Sequence, residues 1–323
     1  LRRQRQMCIR DSLWTVREYS DGRRKSIKTL QLKDFKSLTL KGKYNQKRYA
    51  IPVVEPVEFA AQSPLPIDPY VLGVLIGDGC LCGDSIGLIS DDQFIVDEVQ
   101  LRVGDAKIVK SSKNSRRFDF RINNAKYIKE SLKDIGLWGH KSNDKFIPPQ
   151  YLYASIEDRI LLLQGLMDTD GTPARGQGSY TTVSERLKDD IWELCRGLGG
   201  IPTATKHKSW YKDENGNRVE CQDKWMICPR VPMNPFLMPR KAAKWKPHNR
   251  TLWKSIVDIQ PLGYEEDMTC IKVSNDDGLY VIQDYIVTHN TDIELKGELR
   301  AKGSASAIYE MSHNSVTSRF PEV

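Results

Sequence analysis

The sequence predicts an α+β chain in which a β-rich module, split into two halves, brackets an α/β insert built as a repeat. Three observations lead there. The first is a pair of similar segments, Val71-Leu-Gly-Val-Leu-Ile-Gly-Asp78-Gly79 and Leu163-Gln-Gly-Leu-Met-Asp-Thr-Asp170-Gly171. Each is an apolar helical run with glycine at its third position, and each ends in Asp-Gly. The second is a polar stretch from Asn45 to Pro69, studded with Pro52, Pro56, Pro64, Pro66 and Pro69, which reads as a domain boundary. The third is strand-like alternation at both ends, over Leu13–Tyr19 and Lys25–Leu30, then over Trp253–Ile259, Asp267–Val273 and Leu279–Val287.

Taken in order, residues 1–12 stand apart. Arg3-Gln-Arg-Gln-Met-Cys-Ile-Arg-Asp-Ser12 resembles a translated sequencing-adaptor sequence and is expected to be non-native; a basic arm is the alternative. Residues 13–60 form the first half of the β module, with Ser20-Asp-Gly-Arg as the turn between its strands. Residues 61–248 form the insert. Its first helix, Val71–Asp78, leads to strands near Ile86–Ser90 and Arg117–Ile122, with helices near Asp92–Val103 and Ala125–Ile135. Its second, Arg159–Asp170, leads to a helix over Ser184–Leu198 and strands over Thr203–Tyr211 and Arg218–Cys228. Asp213-Glu-Asn-Gly-Asn217 carries the Asn-Gly hairpin signal between the last two. The aspartates recur after roughly 90 residues, a plausible length for one α/β repeat, although outside the helices the second copy matches the first poorly. A basic helical stretch, Arg240-Lys-Ala-Ala-Lys-Trp-Lys246, precedes the second β half at 249–290, and residues 291–323 form a separate fragment.

Composition narrows the class. The 323 residues suffice for about two domains, and no apolar run approaches the roughly 18–20 residues of a membrane span. A soluble, cytoplasmic protein is expected. Seven cysteines at irregular spacing argue against a disulfide framework. Cys80-Leu-Cys82 lacks a second Cys/His pair at zinc spacing, so loop or core thiols are expected there. The net charge of +7 suits a polyanionic partner.

A buried helix ending on an unpaired carboxylate is costly, and two such helices suggest a side-by-side pair delivering one acid each to a shared site. Gly73 and Gly165 would let their backbones approach closely, since no Cβ intrudes. These motifs resemble the paired LAGLIDADG signature of dodecapeptide homing endonucleases, a family often nested inside inteins. The resemblance implies an α/β saddle acting as a monomer on double-stranded DNA, its target the host gene without the insert. It implies that Asp78 and Asp170 bind Mg2+ for phosphodiester hydrolysis, where the metal activates water and neutralises charge. Asp168 receives no metal. Lys145-Phe-Ile-Pro148 resembles the family's Lys-x-Ile-Pro block, which implies that the Lys145 ammonium positions water or steadies phosphate charge. Lys206, His207 and Lys208 are unranked candidates for the same duty in the second half. Arg116, Arg117, Arg121, Lys206, Lys208, Lys212, Lys224 and Arg230, on or beside the saddle strands, are the expected DNA contacts. Trp210 and Trp225 are expected to pack in the core rather than touch sugar.

Leu279-Tyr-Val-Ile-Gln-Asp-Tyr-Ile-Val-Thr288-His289-Asn290-Thr291 resembles the C-terminal splice junction of an intein, an apolar strand before His-Asn and a hydroxyl residue. That resemblance implies a Hint splicing fold. Asn290 would cyclise to a succinimide and break the Asn290–Thr291 bond, His289 would donate a proton, and Thr291 would carry the branched ester to the host protein's flanking exteins. Cys270, in a block where many inteins place Asp, joins Trp14 and Thr288 in a set resembling the class 3 inteins, whose block cysteine attacks the upstream junction directly. A buried β-strand thiol is the alternative for Cys270. Asp11-Ser12-Leu13-Trp14 resembles a splicing block ending Asp-His-Leu-Trp with Ser12 in the histidine's place, so the upstream junction is expected to lie outside this sequence. Two rival readings remain: a LAGLIDADG-derived binder that holds DNA or RNA without cutting, opposed by both aspartates, and a free-standing endonuclease, opposed by Cys270 and Thr288-His289-Asn290.

Overall fold

The computed structural model describes residues 13–20, 23–35, 37–59, 64–110, 119–174, 177–214, 216–247, 253–260 and 279–289. They fall into two compact units, one from the described parts of Leu1–Val54 and Leu252–Val323, the other from Glu55–Thr251. In chain order, β1 (Leu13–Ser20), β2 (Arg23–Gln31) and β3 (Tyr49–Pro52) precede helix α1 (Pro69–Asp78). Then come β4 (Gly79–Cys80), β5 (Ile86–Ile89), α2 (Gln93–Arg102), β6 (Lys107–Lys110), β7 (Asp119–Asn123) and α3 (Lys126–Asp134). A second run follows with α4 (Ile156–Thr169), β8 (Gly171–Ala174), β9 (Gln177–Thr182), α5 (Glu185–Gly197), β10 (Thr203–Lys212) and β11 (Arg218–Cys228). The last described strands are β12 (Trp253–Ser255), β13 (Leu279–Ile282) and β14 (Ile286–His289). No described helix is long and apolar enough to cross a membrane.

The smaller unit is one antiparallel sheet in the order β12-β3-β1-β14-β13, with β2 also paired to β1. Val16, Phe35, Tyr49 and Ile51 form its core, and Trp14, Leu30 and Ile286 pack against them. Two features differ from the expectation. Tyr49–Pro52 lies inside the proline-studded stretch read as a link, yet Tyr49, Ala50 and Ile51 are buried and the strand bridges β1 to β12. Pro52 can end that strand because the pairing to β1 stops at Ala50, so its missing N–H removes no pair on that side. Leu279–Val287 is a hairpin rather than one strand: Ile282 pairs with Ile286 across a turn in which Asp284 and Tyr285 both take positive φ. The expected strand at Asp267–Val273 lies outside the described residues.

The larger unit repeats itself more completely than its sequence suggests. Its two four-stranded sheets run β4-β5-β7-β6 and β8-β9-β11-β10, the same order of first, second, fourth and third strand after each glycine helix. Strands β4, β6, β8 and β9 escape the sequence reading because they are short or polar; β9 is Gln-Gly-Ser-Tyr-Thr-Thr, held in place by β8 and β11 on either side.

At the centre, α1 and α4 cross at their glycines. A Cβ on Gly73 would lie 2.4 Å from the Leu162 carbonyl oxygen and 2.9 Å from the Leu166 nitrogen. A Cβ on Gly165 would lie 2.3 Å from the Tyr70 oxygen and 3.0 Å from the Val74 nitrogen. The two sets match residue for residue at the interval separating Asp78 from Asp170, so the helices are related by a local twofold. Their starts are fixed by capping carboxyl or hydroxyl groups, Asp68 accepting from the Val71 N–H and Ser155 from the Asp158 N–H. Fully buried Arg159 on α4 donates to the carbonyls of Ala154 and Val57 and stacks on Phe59, tying the entering chain to this helix.

Because the atoms met at Gly73 are backbone, no rotamer change can relieve an added methyl group. Gly73→Ala is expected to destabilise the larger unit by about 3 kcal/mol or more, read as a lower denaturant midpoint. An unchanged midpoint would show that the helices do not depend on this approach.

Candidate active site

Both glycine helices end on an acid beside an unusual lysine. Lys145 is buried, and its Nζ donates to the carbonyl oxygens of Leu75 (3.0 Å), Ile76 (2.8 Å), Gly77 (3.3 Å) and Gly79 (2.7 Å). Lys241, also buried, donates to those of Met167 (3.2 Å), Asp168 (2.5 Å), Thr169 (3.1 Å) and Gly171 (2.7 Å). These are corresponding atoms of the two repeats. Each ammonium satisfies the orphan carbonyls of a helix C-terminus and opposes the negative end of its dipole. An ammonium has three donors, and in this structure those of Lys145 face main-chain oxygens, which braces the acid-bearing turn. The second-half counterpart is Lys241, not Lys206, His207 or Lys208. Sequence reading misses it because Lys145 precedes its proline (Pro148) whereas Lys241 follows its own (Pro239).

Asp78 and Asp170 share one electrostatic field. Burial pushes the Asp78 carboxyl up to about 6, and the Asp170 charge adds to this, while Lys145 and Lys241 pull it down. Burial likewise raises Asp170 and the same two lysines oppose it, although its side chain keeps a solvent-exposed edge. Lys145 falls to about 8, mainly through burial, and both aspartates resist the fall. Lys241 is lowered for the same reason. The repeats diverge at one contact. Tyr180 on β9, fully enclosed, hydrogen-bonds the Asp170 carboxylate and helps hold it ionised. Tyr180 pairs with Gly171 as Leu88 pairs with Gly79, so the first repeat has a leucine at the position of the phenol. Nothing in the polar β9 segment distinguished Tyr180 beforehand. Asp168 plays a structural part: it accepts from the Tyr70 hydroxyl and the Met238 N–H, each at 3.0 Å, joining α1 and α4 to the segment that carries Lys241.

The segment carrying Lys145 is held by α5. The Ser184 hydroxyl donates to the Lys145 carbonyl at 2.7 Å, and the Asp190 carboxylate accepts from the Ile147 N–H at 2.8 Å.

The expected DNA contacts separate into groups. Arg121 points outward from β7, between buried Phe120 and Ile122. Lys224 is exposed on β11 opposite His207, on the face that also carries Met226. Lys206 pairs with Trp225, on the face of buried Ile227, and its ammonium lies 3.6 Å from Asp223 and 5.5 Å from the Trp225 ring. Lys206 and Lys224 therefore do not share a face. Lys208 is exposed at a bulge in β10, and Lys212 ends that strand. Arg230 sits off the sheet in a turn with positive φ. Trp225 is partly buried between Lys188 and Lys206, but Trp210 is half-exposed beneath Arg218 rather than in a core. Arg116 and Arg117 lie outside the described residues.

In the smaller unit, Leu13 pairs with His289, which brings Trp14 beside buried Thr288 by antiparallel register. His289 also pairs with Leu279, so its backbone lies between two strands. Cys270, Asn290 and Thr291 lie outside the described residues.

No family model matches the chain. A curated relative is the replicative DNA helicase DnaB of Mycobacterium intracellulare, 26% identical over 238 residues, which cover 71% of this chain and 36% of the helicase. The chain thus spans about a third of that relative's length. Similar solved structures include the homing endonuclease I-DmoI with DNA and Ca, at TM-score 0.33 and 14% identity, covering 55% of this chain and 96% of that one. Its complex with DNA and Mn gives TM-score 0.29 and 15% identity, covering 50% and 88%. Scores this low establish no common fold.

The paired acids make a stability prediction. Folded Asp78 holds its proton to a higher pH than the unfolded chain does, so its contribution is fullest below the ordinary carboxylate range and is lost as pH rises through about 6. Asp78→Asn, in metal-free buffer, is expected to stabilise the larger unit near pH 7.5 by about 1–2 kcal/mol, after allowance for solvent screening. The gain should vanish near pH 4. Thermal melts at both pH values check this; a gap independent of pH would remove the Asp78 charge as its cause.

Proposed function

We propose that the larger unit is a Mg2+-dependent, site-specific double-strand DNA endonuclease of the LAGLIDADG type, and that the smaller unit is the splicing module of an intein that carries it. The observation that supports the first part most strongly is the twofold-related pair of helix ends, each with one aspartate braced by one buried lysine. Among the described residues no three His, Cys, Asp or Glu side chains lie together to hold a metal. Two carboxylates suit magnesium nonetheless, since it retains waters and takes one or two protein carboxylates together with substrate phosphates. Asp78 and Asp170 would hold the metal, which when bound supplies charge neutralisation and an activated water. Lys145 and Lys241 fix the two carboxylate-bearing turns and keep the acids ionised at neutral pH. Tyr180 orients Asp170. Arg121 and Lys224, outward on one sheet each, would meet phosphate.

Similarity to a replicative helicase suits an element resident in such a gene. This chain has no Gly-x-x-x-x-Gly-Lys-Ser/Thr phosphate loop, so nothing in it supports a nucleotide-driven motor. The uninterrupted helicase gene is accordingly the proposed target. Cutting of that gene should require Mg2+. Asp78→Asn and Asp170→Asn should each reduce it at least ~100-fold while leaving binding measurable, since phosphate contacts dominate affinity. Cutting by either variant at the parental rate would exclude the paired acids from the mechanism; binding with no cutting by the parent would favour a DNA-binding regulator.

For the smaller unit, the register that sets Trp14 beside Thr288 at a buried strand supports the splicing reading. In that reading the Asn290 side-chain amide attacks its own carbonyl carbon, releasing the Thr291 amine, and His289 supplies the proton. Cys270 would accept the upstream acyl group. The chain is expected to cleave at Asn290–Thr291, and Asn290→Ala should abolish that cleavage. Mass spectrometry of the purified chain decides it: cleavage persisting in Asn290→Ala would dismiss asparagine cyclisation. In a precursor with flanking sequence at both ends, normal splicing by Cys270→Ala would leave Cys270 a core thiol.

A further inference from the structure

The turn directly after Asp78 carries two thiols that neither proposed activity uses. Cys80 ends β4, and Cys82 follows it after a single residue. Both are exposed, and their sulfurs lie 3.7 Å apart. On a continuing strand, residues two apart would splay along one face. Here the strand stops at Cys80, so the strand geometry that would keep the two sulfurs apart does not continue to Cys82, and Gly83, with φ of +114°, then turns the chain away. Leu81 anchors the chain between them: its side chain is fully buried, and its carbonyl accepts from the Gly139 N–H at 2.8 Å. The residue paired with Cys80 is Gly87, which presents no side chain to shield the sulfur. The scaffold therefore holds two solvent-facing thiols close together, and their sulfurs lie within the electrostatic reach of Lys145.

We propose that Cys80 and Cys82 form a dithiol modification site which a peroxide closes to a disulfide, and that closure slows the DNA cleavage proposed above. Only the second clause rests on the endonuclease reading. In the first step one sulfur attacks a peroxide oxygen, breaking the O–O bond and giving a sulfenic acid and one water. In the second, the other sulfur attacks the sulfenic sulfur, forming the S–S bond and releasing a second water. The two thiol protons leave in those waters, two sulfurs are oxidised by one electron each, and one peroxide is reduced.

The consequence for the site is mechanical. A disulfide requires sulfurs about 2.05 Å apart and a Cβ–S–S–Cβ angle near ±90°. Because Leu81 is anchored, closing the open pair strains the chain on either side of it, at Cys80 and at Cys82. Cys80 follows Gly79, whose carbonyl is one of the four that bind Lys145 and whose N–H closes α1 onto the Leu75 carbonyl. A disulfide joining near neighbours is also strained and hence readily reduced, as a reversible site needs. Cys195, fully buried on α5, offers no such access.

The test uses the full chain with hydrogen peroxide, followed by blocking of free thiols and peptide mapping. The Cys80–Cys82 peptide is expected to lose two hydrogen masses and to regain them with dithiothreitol. On the same samples, cutting should slow by ~10-fold or more, since displacements of an ångström at a reacting centre cost up to ~100-fold. Cys82→Ser should cut at the parental rate in reductant and keep that rate after peroxide. The proposal is overturned if the two thiols stay free, if the disulfide forms and the rate holds, or if Cys82→Ser slows as much as the parent. Should the reduced chain cut no DNA, the endonuclease reading fails, and the mass measurement alone decides whether the dithiol closes.

Discussion

The larger unit depends on two helix backbones touching at glycine. Contact that close brings the C-termini of α1 and α4 together, and with them two carboxylates at the helix ends where dipoles already favour positive charge. Left alone, this would be costly: desolvated acids repelling each other beside unsatisfied carbonyls. The two buried lysines answer both problems, since each donates to four main-chain oxygens and each lowers the carboxylate pKa values. The compensation is incomplete, which is why Asp78 remains near 6. A site that stores repulsion gives up stability for its charge arrangement.

The twofold is a feature of backbone and braces, and it fails at the polar details. Tyr180 supports Asp170 where the first repeat has Leu88 at the corresponding position, and Asp168 binds Tyr70 and the Met238 amide on the α4 side alone. The two acids therefore differ in their hydrogen-bond partners although their backbones match. The thiols at Cys80 and Cys82 add a further difference, because they follow Asp78 and have no counterpart after Asp170, where Thr172 and Ala174 stand.

The smaller unit is built on another principle. Its core is a handful of side chains, and its coherence comes from strand pairing between the two ends of the described chain: β1 with β14, and β3 with β12. Such non-local pairs carry a loop-closure cost that a small core only partly offsets. In sequence, the larger unit lies between β3 and β12.

The sequence by itself determined the elements with strong period and the residues with fixed local roles. The twin apolar runs ending in Asp-Gly marked α1, α4 and the paired acids, because a helix buried along its length must be apolar on all sides. The Asn-Gly turn marked β10–β11. Tertiary structure alone decided the rest. Strands as short as Gly79–Cys80 or as polar as Gln177–Thr182 have no period to detect and exist because a neighbouring strand completes their hydrogen bonds. Lys145 was visible as a residue but not as a brace, and Lys241 was not visible at all. A lysine's role is set by which carbonyls its four-carbon stem can reach, and that distance is fixed only once the helices have packed.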